Sequence, residues 1–373
     1  MERQPRCCRS FSAAPIRRLA ALVGAVVAFA CSNDISGPGF QQTNLVSNIE
    51  GKAPVTDSNL INPWGIAHGP NGPWAVADNG TGVSTRYDGG GNPVDNPSVI
   101  TIPPPAGSPP DTPSSPTGVV FNLTTDFIVT EGAAAAPAQL IFATEGGTIA
   151  ARSPVVDPTT AITTVDNSSG NAIYKGLASG NNATSSLIYA TDFHNRAVDV
   201  FDGRFTPFTL TGTFTDPNIP PRFAPFGIQN INGNIFVTYA RQDADMVDDV
   251  PGPGNGYVSV FDTDGNFIRR FATQGNLNSP WGLALAPISF GRFGGALIIG
   301  NFGDGQLNAF SPVGATFLGQ VNRPNGNPIT IQGLWGLGFG NGGTAGSAQT
   351  LYFSAGPNGE KDGLFGMLEP VNG

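Results

Sequence analysis

Hard oxygen donors recur at one register of this chain. Asp78 in WAVADN, Glu145 in LIFATE, Asp192 in LIYATD and Asn301 in ALIIGN each fall near the end of a short apolar run. Carboxylates crowded together repel one another, and a divalent cation relieves that repulsion, so this set suits Ca2+ or Mg2+. The same residue types also cap turns by accepting backbone amide protons, and both roles stand open. Asn79, Tyr239, Arg241 and His194 occupy neighbouring run ends and are candidate ligand contacts, with His194 or Asp192 the available base.

A second acidic group lies in the insert RQDADMVDDVPGPGNG, which starts at Arg241. Asp243, Asp245, Asp248 and Asp249 could wrap oxygen ligands around calcium, although the spacing lacks the glycine and glutamate of an EF-hand loop. A solvated acidic loop is the alternative. The chain has two histidines, His68 and His194, and no GxSxG elbow, so neither a serine triad nor a cysteine dyad can be assembled. Gly338, Gly340 and Gly343 spell GxGxxG, but no helix pattern follows and no βαβ unit surrounds them, so they read as a turn and no nucleotide cofactor is expected.

The elements that must position these residues are repeats. NPWGI, SPTGV, IYKGL, APFGI, SPWGL and GLWGL place Gly65, Gly118, Gly176, Gly227, Gly282 and Gly336 at a nearly even step of about 51–58 residues, found by subtracting successive numbers. After each glycine come further strand-length runs rich in Val, Ile, Tyr and Phe, and no helical period appears. Radial repetition of such units, which leaves only short protected edges, makes a six-bladed β-propeller of four-stranded blades. The segment QQTNLVSNI from Gln41 precedes the first repeat and is available as the missing outer strand of the last blade. In this fold the run ends and the WG loops open on one face near the central channel. Trp64, Trp281 and Trp335 hold one position in three blades and read as inter-blade packing, or as a platform for a sugar or aromatic ligand if their edges line the mouth. Lys175 and Thr117 replace them in two other blades and leave one side more polar.

The chain has 373 residues, with 51 Gly, 33 Pro and 12% charged residues, a turn-dense composition that suits one large repeat domain. Five arginines among the first eighteen residues, then the apolar run Leu19 to Ala30, lay out a secretory signal too short to span a bilayer. Cys31 stands where a lipoprotein signal places its acylated residue, while Ala28 and Ala30 also fit an ordinary cleavage site. Residues 1–30 are expected to be the signal, 31–40 a tether and 41–373 the propeller. The expected location is the cell envelope through a lipid anchor, or the periplasm or exterior. Membrane contact is expected only through that anchor. The net charge of −9 becomes more negative once the basic signal is removed. Such a surface repels phosphate backbones, so nucleic acid is not expected as a partner.

With QQTNLVS at Gln41, NPWGI at Asn62, ADNGTGVST at Ala77, RQDAD at Arg241 and PGPGNGYVSVFD at Pro251, the chain resembles the NHL-type six-bladed propellers. It is more closely similar to an uncharacterised family of secreted bacterial propellers, over nearly all of the mature chain. That resemblance implies a fold and an extracytoplasmic location. Related enzymatic propellers of the gluconolactonase and virginiamycin B lyase types place a metal at the channel mouth, and the lyase pattern needs more histidine than is present here. The expected function is a monomeric binding module whose acidic channel face takes a carbohydrate, small molecule or protein. The alternative is a metal-dependent hydrolase or lyase.

Overall fold

The computed structural model describes residues 38–94 and 97–371. The signal sequence, Cys31 and most of the expected tether fall outside the described residues.

Six sheets are arranged around one axis. Blade one is Pro63–His68, Trp74–Asp78, Val83–Tyr87 and Val99–Thr101. Blade two is Pro116–Phe121, Leu140–Thr144, Thr148–Arg152 and Ile162–Asp166, with a hairpin of Ile128–Glu131 and Ala134–Pro137 after its inner strand. Blade four is Phe223–Ile231, Asn234–Arg241, Tyr257–Phe261 and Phe267–Thr273. Blade five is Pro280–Leu285, Leu297–Asn301, Leu307–Phe310 and Phe317–Gln320.

Two blades depart from the expected four strands. Blade three has three, Tyr174–Asn181, Ser186–Asp192 and Ala197–Asp202. Blade six has Leu334–Phe339, Leu351–Ala355 and Leu364–Val371, and Gly39–Ser47 from the other end of the sequence pairs antiparallel with Leu364–Val371. Val55–Thr56 then adds in parallel as a fifth strand. The joining strand starts two residues before the expected boundary at residue 41. Phe40 anchors it, fully buried with its ring 4.8 Å from Phe290 and 5.8 Å from Phe293.

Each blade interface holds its own apolar cluster, for example Ile188, Phe201 and Tyr174 against Ile141 and Ile149 between blades three and two. The repeated glycines are required where inner strands meet at the axis. A Cβ on Gly65 would lie 2.6 Å from the Thr117 carbonyl oxygen, one on Gly176 2.9 Å from that of Phe226, and one on Gly336 2.6 Å from that of Trp64. Gly118 meets the Gly176–Leu177 backbone, Gly227 the Trp281 carbonyl and Gly282 that of Trp335. The six contacts close a ring. None of these glycines has positive φ, so close approach and not turn geometry selects them. Hydroxyls staple the same junctions: Thr191 Oγ1 donates to Phe226 O at 2.7 Å, Thr117 Oγ1 donates to Tyr174 O at 2.7 Å, and Ser354 Oγ donates to Trp64 O.

At one end the channel widens into a bowl of about 400 Å³ lined by Ile66, Phe121, Leu283 and Phe339. His68 sits in this wall, its ring nitrogens against the carbonyls of Gly69 and Phe339.

Candidate functional site

The opposite end of the channel is sealed by aromatic rings. Trp64 stacks on Trp335 with centroids 3.6 Å apart, Phe302 covers the other face of Trp335 at 4.0 Å, and Trp281 meets both tryptophans edge-on. Trp64 and Trp335 are 2% and 1% exposed. They are therefore packing residues, and the ligand platform expected of Trp64, Trp281 and Trp335 is not available. Trp335 Nε1 donates to Asn62 Oδ1 at 3.0 Å and Trp281 Nε1 to Lys175 O at 2.9 Å, whereas Trp64 Nε1 is buried without a partner among the described residues. Asn62 and Ser279, two residues before their tryptophans, both take positive φ, which turns the chain inward to deliver the rings to the axis.

Lys175 occupies the tryptophan position of blade three. Its Nζ lies 5.2 Å from the Trp64 ring centroid and 5.9 Å from that of Phe193, a cation over aromatic faces. Two carboxylates hold it, Glu145 Oε1 from blade two at 2.5 Å and Asp248 Oδ1 from the blade-four insert at 3.0 Å. Burial alone would lower the Lys175 pKa, but Glu145 and Asp248 outweigh it and hold the ammonium above its ordinary value. Glu145 Oε2 accepts from Asn79 Nδ2 at 2.8 Å, and Asn62 Nδ2 donates to Glu360 Oε2 at 2.8 Å. Burial raises the Glu360 carboxyl and pushes Asp249 up to about 6, with Lys175 opposing both shifts. One ammonium thus faces four acids contributed by blades two, four and six.

The expected metal set does not assemble. Asp78 is fully buried and turns into its own blade, where Oδ2 accepts from Thr85 N at 2.8 Å; burial holds its carboxyl well above the usual range. Asp192 caps a turn, accepting from the amides of Ile173 and Asn195. Asn301 donates to Asn276 O and Asp304. Only Glu145 of the four reaches the mouth. The insert folds as a hairpin closed by Val250 N to Arg241 O and Asp243 N to Asp248 O. Asp243 caps the Val247 amide, Asp245 is exposed at the tip, and Asp248 and Asp249 turn toward Lys175, so the four do not share a calcium shell. Among the described residues no group of three or more His, Cys, Asp and Glu could hold a metal ion.

The remaining candidates scatter. Tyr239 lies in the core between blades three and four with its hydroxyl buried and unpartnered among the described residues, so it is no channel contact. Arg241 is exposed at the base of the insert. Among the described residues His194 Nδ1 is buried without a partner and no hydrogen bond joins its ring to Asp192, which leaves the proposed base without an orienting group there. Asn79 does face the site.

No family model matches the chain. An uncharacterised protein of Acanthamoeba polyphaga mimivirus, L690, is 35% identical over 332 residues, covering 87% of this chain and 84% of that one. The chain belongs to the L690 family. A second mimivirus protein, R648, is 36% identical over 301 residues, 79% of this chain and 72% of its own. Among solved structures, a Bacteroides thetaiotaomicron protein of unknown function superposes with a TM-score of 0.51 at 12% identity over 90% of this chain and 76% of that one. A streptogramin B lyase superposes at 0.47 and 12% identity over 91% and 100%. The first of these shows the fold alone.

Sequence reasoning passed over Glu360, Asn62, Phe193 and Phe302. The available signal was Lys175, the one charge among six WG-type positions.

Proposed function

We propose that the chain is an exported, envelope-attached recognition module whose acidic channel face binds an amine- or guanidinium-bearing ligand, on a protein or a small molecule. The observation that carries this reading is the cage around Lys175: an ammonium above the Trp64 ring, clamped by Glu145 and Asp248, with Asp249 and Glu360 close by. Three of those four acids remain uncompensated when all are ionised. The aromatic seal supports a surface-binding role over a conduit, and a broad rigid face made of many loops suits recognition. The leader-like N-terminal sequence and Cys31 support export and attachment.

Calorimetric titration of the full chain with hexalysine, and with hexaglutamate as control, tests the reading. Hexalysine is expected to bind and to weaken as salt rises, and the double variant Asp248→Asn, Asp249→Asn to bind about tenfold more weakly. Absence of hexalysine binding, or binding indifferent to the double variant, overturns it.

A further inference from the structure

Blades three and four carry the same third strand and the same turn after it. VDVFD from Val198 matches VSVFD from Val258. Asp202 and Asp262 each use Oδ1 to accept the amides two and four residues on. Asp202 N donates to Thr206 O at 2.9 Å as Asp262 N does to Asn266 O at 3.0 Å, and Phe201 bridges Pro207 as Phe261 pairs with Phe267. In blade four the chain continues as the fourth strand Phe267–Thr273, with Arg270 opposite Ser259. In blade three it leaves after Phe208, whose N–H donates to Val200 O. Gly212 and Phe214 donate instead to the carbonyls of Asp264 and Gly265, drawing the segment onto blade four.

The fourth-strand place in blade three is therefore open. A cavity of about 300 Å³ lies there, with Val198, Asp199 and Val200 on one wall and Phe208, Leu210 and Phe214 on the other. Val200 O and Asp202 N point outward to the turn, so by alternation the N–H and C=O of Val198 point outward too, and no strand pairs with them among the described residues. Other blades also have free edges, but on a fourth or fifth strand. Here the edge belongs to a third strand and lines a cavity.

The residues at this edge name the occupant's chemistry. Arg270 in blade four lies over the Tyr257 ring and is paired with Asp216, which Ser259 Oγ also contacts at 2.6 Å. Asp199 takes the place of Ser259 in blade three. It accepts from Tyr174 Oη at 2.7 Å and has no salt bridge among the described residues. We propose that blade three is completed by an extended peptide of a partner protein, added as a fourth strand with an arginine opposite Asp199 and apolar neighbours seated in the cavity. Backbone bonds to the N–H and C=O of Val198 and to the N–H of Val200 would supply affinity and the arginine the register, as in other strand-addition complexes. Burial holds the Asp199 carboxyl above its usual range, and a guanidinium opposite would reverse that. This surface is distinct from the channel face and the proposal does not rest on the reading given for it.

The test uses the full chain and a fluorescent pentapeptide RRFAT, the sequence of Arg269–Thr273, followed by anisotropy, because Pro207 and Phe208 already hold the places of Phe267 and Ile268 beside Phe201 and Val200. Saturable binding is expected. Replacing the second arginine of the peptide by glutamate, or Val198→Pro in the protein, should weaken it at least about tenfold, since proline removes the outward N–H and leaves the inner ladder intact. Asp199→Asn, which keeps size and the tyrosine contact, should weaken it several-fold and serves if Val198→Pro does not fold. No saturable binding, or binding unchanged by these substitutions, overturns the proposal. So does concentration-dependent dimerisation abolished by Val198→Pro, which would give the edge to a second copy.

Discussion

A Cβ on Gly336 would lie 2.6 Å from the carbonyl oxygen of Trp64, so the last blade meets the first through a contact that only glycine allows. The neighbouring atom is backbone, held by the Ser354 hydroxyl and by the stacking of Trp64 on Trp335. Neither partner can yield without moving the seal.

Gly336→Ala is accordingly expected to destabilise the protein by about 3 kcal/mol or more, at the upper end of overpacking effects. Urea unfolding followed by tryptophan fluorescence measures this. A loss below about 1 kcal/mol would show that the ring is looser than described.

Lys175→Met keeps much of the side-chain volume and removes the one cation paired with Glu145 among the described residues. Breaking a buried pair from one side costs about 3–5 kcal/mol, and that loss is expected in urea melts at neutral pH. Combining it with Glu145→Gln should recover at least about 1 kcal/mol through coupling between the two sites. Asp248→Asn alone should cost under about 1 kcal/mol, because its side chain is 69% exposed. Equal losses from Glu145→Gln and Asp248→Asn would contradict this ranking.

Asp249 gives a pH dependence of defined sign. Burial raises its carboxyl to about 6 in the folded chain, against about 3.9 unfolded. The folded state then holds the proton more tightly, so this contribution is complete below about pH 4 and lost as pH rises through about 6. Asp249→Asn should match the parent protein at pH 4 and exceed it by about 1–3 kcal/mol at pH 8. Chemical melts at the two pH values decide the matter, and a variant less stable at pH 8 would refute the assignment.

The blade count was legible because every blade needs a glycine at the same crossing of inner strands, and that need repeats in the sequence. The site was legible only in pieces. In WAVADN both Asp78 and Asn79 are polar, and only the pleat decides that Asp78 turns into the blade while Asn79 reaches Glu145. Lys175 was visible as a break in the WG pattern, but its partners Glu145 and Asp248 lie 30 and 73 residues away, a distance that spacing does not encode. Blade three looks complete in sequence, since VDVFD repeats the blade-four strand. The missing fourth strand follows from what comes after Phe208, where Gly212 and Phe214 bond to the carbonyls of Asp264 and Gly265 in blade four.

The pairing of Gly39–Ser47 with Leu364–Val371 also fixes an order of events. A ribosome makes Gly39–Ser47 long before Leu364–Val371, so blade six must stay unfinished until the later strand has been made. Such long-range pairing slows folding, and until the later strand arrives the ring of blades has no closing seam.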